Sequence, residues 1–138
     1  MKSTKKCILV VEDDESRNAA IARDLEALGY EAFTVHNGED ALGHILQNRH
    51  QFSCEFDAIL ANVITPVFTG IELARTVKFA LLMTTPVVLM ADPAQTLPKD
   101  ATHAEFVRIS NAIIYAASEN GLGFTPSLEE VFKGIFKS

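Results

Sequence analysis

The chain has no surplus of basic residues: 12 Lys and Arg stand against 18 Asp and Glu, a net charge of −6 over 138 residues. Non-specific nucleic-acid binding, which depends on clustered cations that neutralise phosphates, is therefore not expected. The one basic cluster, Lys2, Lys5 and Lys6, reads as a solvated N-terminal tail over residues 1–6. Cysteine is scarce. Cys7 and Cys54 lack CxxC spacing and read as buried free thiols rather than as a disulfide or metal ligands. No apolar run approaches a membrane span, and the first, Cys7 to Val11, is too short for a signal peptide; a soluble cytoplasmic protein is expected. A Gly-rich phosphate loop and a GxSxG elbow are both missing, which removes support for nucleotide and serine hydrolases. His36, His44, His50 and His103 have no ligand spacing with Cys or acids and read as surface positions. Repeats, low-complexity stretches and Gly/Ser linkers are absent too, so one domain is expected over residues 1–138.

What is present is a regular alternation. Ile8-Leu9-Val10-Val11 is a short continuous apolar run ending in acids, the mark of a strand buried on both faces. Ala20, Ile21, Leu25 and Leu28 then recur at helical spacing, with Asp14 or Ser16 as cap and Gly29 as stop. Tyr30 to Val35 alternates as a second strand, and Asn37-Gly38-Glu39-Asp40 opens a helix carrying Ala41, Leu42, Ile45 and Leu46. Ala58 to Ala61 is the third strand and Gly70 to about Leu82 the third helix; Pro86 introduces a fourth strand, Val87 to Met90. Such alternation predicts an α/β fold: a doubly wound, five-stranded parallel sheet with helices on both faces, (βα)5 and flavodoxin-like.

Beyond Asp92 two registers compete. In the preferred one a helix beginning near Lys99 to Thr102 runs to Asn120, carrying Phe106, Ile109, Ile113 and Ala117 at helical spacing; Gly121 stops it, and Leu122 to Thr125 is the fifth strand. In the other the helix stops near Ser110 and Ala112 to Ala117 is the strand. Both are followed by a last helix that Ser127 caps, with Glu130 at capping-box spacing.

Ile8-Leu9-Val10-Val11-Glu12-Asp13-Asp14-Glu15, followed by a strand that ends in the polar Asn62 with Pro66 four and Gly70 eight positions later, resembles the receiver domain of bacterial response regulators. Thr85-Pro86-Val87-Val88-Leu89-Met90-Ala91 and Pro126-Ser127-Leu128-Glu129-Glu130 are similar to that family's fourth strand and last helix. With no output domain after it, the resemblance implies a stand-alone receiver. It also implies a site: an acidic pair holding Mg²⁺, an acceptor Asp after the third strand, a Ser or Thr ending the fourth, and a Lys after the fifth. Clustered carboxylates suit a hard cation, and cation plus ammonium offset charge in phosphoryl transfer.

Glu12 and Asp13 match the acidic pair, but Asn62 stands at the acceptor position and Ala91 at the hydroxyl position. Thr125 takes the lysine's place in the preferred register and Ser118 in the other; no lysine lies between Lys99 and Lys133. A carboxamide has neither the charge nor the nucleophilicity of a carboxylate. The resemblance therefore implies a degenerate pseudo-receiver and no enzyme. Of the nearby acids, Asp57 reads as a strand-start residue, Asp14 as a helix cap and Asp92 as a turn residue before Pro93, with Asp92 the alternative phosphoacceptor. No cofactor is expected beyond weak Mg²⁺ held by Glu12, Asp13, the Asn62 amide oxygen and the Ile64 carbonyl. The expected function is a phosphorylation-independent protein-interaction module in two-component-type signalling. Its partner, or a second copy, is placed on the face of the fourth helix, fifth strand and fifth helix near Phe124, Phe132 and Phe136; neither nucleic acid nor membrane is expected. A flavodoxin-like ligand binder is a further alternative.

Overall fold

The structure, a computed structural model, describes residues 5–50, 53–92, 103–116 and 123–137. The chain order is β1 (Cys7–Val11), α1 (Glu15–Ala27), β2 (Glu31–Val35), α2 (Gly38–Gln47), β3 (Ala58–Asn62), α3 (Gly70–Arg75, continuing as a π-helical turn Thr76–Ala80), β4 (Val87–Ala91), α4 (His103–Ile109), β5 (Ala112–Ala116), β6 (Phe124–Thr125) and α5 (Leu128–Ile135). A two-residue hairpin, Arg49–His50 against Ser53–Cys54, lies between α2 and β3. The sheet order is β2-β1-β3-β4-β5-β6, parallel throughout except for β6, which runs antiparallel to β5.

Strand alternation divides the apolar side chains between two layers. Leu9, Val11, Ile59, Ala61 and Leu89 point to α2, α3 and α4, meeting Ala41, Ile45, Leu73, Val77, Phe106 and Ile109. Ile8, Val10, Leu60, Val88, Met90 and Ile114 point the other way, onto Ile21 and Leu25 of α1 and Leu128 and Phe132 of α5. The central strands are buried on both faces, as their unbroken apolar runs predict. Helix starts follow local chemistry: the side chains of Asp14, Asn37 and Ser127 each accept the N–H three residues on, and Thr69 with Glu72 forms a reciprocal capping box. Gly29, at φ 95°, turns the chain out of α1 in the left-handed conformation.

The last third corrects the preferred register. α4 ends at Ile109, and Ala112–Ala116 is the fifth parallel strand. Two adjacent polar residues stop the helix. The Ser110 hydroxyl bonds back to the Phe106 carbonyl. The Asn111 N–H donates to the Val87 carbonyl at 2.7 Å, while its side-chain oxygen accepts the Val87 N–H at 2.9 Å. Asn111 thereby aligns β5 on β4, with Val88 opposite Ala112 and Ala91 opposite Tyr115. Ile113 and Tyr115 then join one layer and Ile114 the other, an alternation a helix would forbid. Within the expected Leu122–Thr125 strand, Phe124–Thr125 is extended, as an antiparallel addition rather than the fifth parallel strand. Ala117, Ser118, Asn120, Gly121 and Leu122 lie outside the described residues. No helix among the described residues is long and apolar enough to cross a membrane.

Candidate functional site

β1, β3 and β4 end at one edge of the sheet and present Glu12, Asn62 and Asp92 there, the position at which open parallel sheets build their sites. Glu12 and Asn62 are each 1% exposed. The Asn62 carboxamide donates to both Glu12 oxygens, at 3.1 Å to Oε1 and 3.3 Å to Oε2, and its own oxygen accepts the Ile64 N–H at 3.0 Å. The side chain is thus engaged at both ends. Burial pushes the Glu12 carboxyl above its ordinary range; the Asn62 amide, Arg17 and the Asp14 N–H pull it down, and Asp13 pushes it up.

Two residues of α1 complete the pocket, and sequence reasoning missed both. Asn18 is buried on the inner stripe with Ile21 and Leu25, and its amide donates to the Glu12 and Val35 carbonyls at 2.9 and 3.1 Å. It fastens the start of α1 to the ends of β1 and β2. A polar residue one turn ahead of that apolar stripe was the available signal. Arg17, 15% exposed, places Nη1 3.4 Å from Glu12 Oε1 and Nη2 3.4 Å from Asp92 Oδ2. That contact spans 75 residues of sequence and leaves no local signature.

The β3–α3 loop closes against this edge with little room. A Cβ at Gly70 would lie 1.9 Å from the Asn62 carbonyl oxygen, and one at Gly38 would lie 1.8 Å from that of Phe68. Val67 and Phe68 take left-handed backbone conformations, φ 46° and 69°, rare for such side chains. The Glu39 N–H, donating to the Val67 carbonyl, and the Thr65 hydroxyl, donating to that of Phe68, hold them there.

The remaining expected residues divide. Asp13, after β1, is exposed, and Ala91, ending β4, is buried. Thr125 is exposed on β6 opposite Tyr115, three strands from Asn62, roughly 14 Å at ordinary strand spacing, and is not brought into the pocket. Asp57 accepts the Cys7 N–H at the opposite end of the sheet. Phe132 is fully buried; it stacks on Phe136 at 5.9 Å, and both rings meet Tyr30. Phe124 and Phe136 are partly buried against the same layer, so these aromatics line the seam between α1 and α5 and Phe132 has no exposed surface to offer a partner.

The donors do not fit the Mg²⁺ that the resemblance implies. Both Glu12 oxygens accept the Asn62 amide, the Asn62 oxygen is taken by the Ile64 N–H, and a guanidinium adjoins the one wholly buried carboxylate. No group of three His, Cys, Asp or Glu converges among the described residues.

The fold is that of CheY-like response-regulator receiver domains. It superposes on the chemotaxis protein CheY4 of Vibrio cholerae with a TM-score of 0.72 at 21% identity, covering 96% of this chain and 100% of that one. A CheY-like receiver domain from Methylobacillus flagellatus gives 0.71 at 25% identity, covering 96% and 99%. In sequence, the transcriptional regulatory protein CrdR of Helicobacter pylori is 31% identical over 86 residues, 62% of this chain and 38% of that protein. The chain thus spans well under half the length of this curated relative. No family model matches the chain.

Proposed function

We propose that this chain is a phosphorylation-independent protein-interaction module of two-component-type signalling, a receiver fold whose acceptor site has become structural. The receiver fold supports the signalling role. The observation that carries the rest is Asn62: its carboxamide is spent on Glu12 and Ile64, leaving no carboxylate nucleophile at the end of β3. Ala91 supplies no hydroxyl to a phosphoryl oxygen, and Asp92, the acid after β4, is held by Arg17.

The partner is a protein that contacts the α4 side of the fold. Val107 on α4 and Phe79 at the end of α3 are 58% and 52% exposed, and the Arg108 guanidinium lies 5.7 Å from the Phe79 ring. Exposed apolar side chains beside charged ones suit a polar-rimmed contact. The test is intact mass after incubation with acetyl phosphate and Mg²⁺ beside an ordinary receiver. The expected result is no adduct here and one in the control; a phosphoryl adduct on this chain overturns the proposal. Val107→Glu and Phe79→Glu are expected to abolish partner capture or self-association while circular dichroism stays native.

A further inference from the structure

Arg17 lies between two carboxylates that belong to different strands. Glu12 follows β1 and Asp92 follows β4, with β3 between them, and one planar guanidinium reaches both at 3.4 Å. A cation here offsets Glu12, the one acid of the site taken almost wholly out of water. It also ties α1 to the end of β4.

We propose that Arg17 is the resident cation of this pocket: its guanidinium takes the place of the divalent ion and keeps Mg²⁺ out whichever residue stands at position 62. The inference rests on the phosphorylation-independent reading and deepens it, because it makes the block twofold. Loss of the acceptor carboxylate is one part, and a permanently charged side chain on the metal's ligand is the other. Mg²⁺ demands near-octahedral oxygen ligands and gives up water reluctantly, so it competes poorly for a carboxylate that already accepts an amide and a guanidinium. The guanidinium is tethered to α1 by its own side chain, so chelators cannot strip it from the position. The conformation of this edge is therefore independent of the cell's divalent-ion level.

The experiment is a Mg²⁺ titration followed by amide NMR shifts at constant ionic strength. It compares the wild type, Asn62→Asp, Arg17→Gln, and the double variant. The wild type and Asn62→Asp are expected to show no saturable shift up to about 20 mM Mg²⁺, and the double variant to bind at least about tenfold more tightly than Asn62→Asp. Binding by Asn62→Asp equal to that of the double variant overturns the proposal, as does a double variant that binds no better than Asn62→Asp. Saturable wild-type shifts centred on Glu12 and Asn62 overturn it with no substitution made, which covers variants that fail to fold. An adduct with acetyl phosphate on the wild type would sink the functional reading, whereas the titration judges Arg17 alone.

Discussion

The Asn62 amide reaches both oxygens of Glu12, at 3.1 and 3.3 Å, and so joins the ends of β1 and β3 across fifty residues of sequence. Where the resemblance implies an acceptor carboxylate, this chain has an amide that donates hydrogen bonds to Glu12. The pair is a hydrogen bond between two side chains that are almost wholly buried.

Asn62→Asp is therefore expected to destabilise the fold rather than restore it. The new carboxylate loses the donated bonds and faces Glu12, at a cost of about 1–3 kcal/mol at pH 7. Two carboxylates sharing a site raise one folded-state pKa above its unfolded value, so the penalty is absent at low pH and grows as pH rises through that range. Urea melts at pH 4.5 and pH 7 check this. A variant as stable as wild type at pH 7 contradicts the geometry.

Gly70→Ala and Gly43→Ala should separate sharply. At Gly70 a Cβ meets the Asn62 carbonyl oxygen at 1.9 Å, backbone that cannot swing aside, whereas at Gly43 it meets nothing within 4 Å. The first is expected to cost roughly 3 kcal/mol or more through forced displacement of the loop. The second lies inside α2 and should gain about 0.5–1 kcal/mol from helix propensity. Thermal unfolding of the two variants decides it.

Cys7 should be an unreactive thiol. Burial first, and then Glu31, Asp57, Glu55 and Cys54, push its pKa up to about 11. Its thiolate fraction at pH 8 is then on the order of one in a thousand. Iodoacetamide labelling followed by peptide mass mapping should rise about tenfold per pH unit from pH 8 to 10, with no plateau near 9. A plateau below pH 9.5 would contradict the placement of Cys7.

Much of the fold is legible where burial writes a continuous pattern. Ile8 to Val11, Ala58 to Ala61 and Val87 to Met90 are apolar because both layers cover them, and Asp14, Asn37 and Ser127 mark helix starts by their own hydrogen bonds. The last third is not legible in that way. Phe106, Ile109 and Ile113 hold helical spacing, yet Ile113 is drawn into β5 by Asn111, whose side chain pairs with Val87 from 24 residues away. The same limit governs the site. Glu12, Asn62 and Ala91 are found by their places at strand ends, whereas Arg17 and Asn18 acquire their roles only when α1 packs across the sheet. Phe132 looks like a docking aromatic in one dimension and is a core residue in three.

The two-residue strand β6 sets how this protein can associate. By pairing with Tyr115 and Ala116 it covers the upper part of β5 and, among the described residues, leaves Ala112–Ile114 without a strand neighbour on that side. Three residues offer few main-chain groups to another chain, so strand pairing on this side is disfavoured, whereas the five residues of β2 end the sheet on the other. On this side association falls to side chains on the helices, where single substitutions retune specificity without touching the sheet.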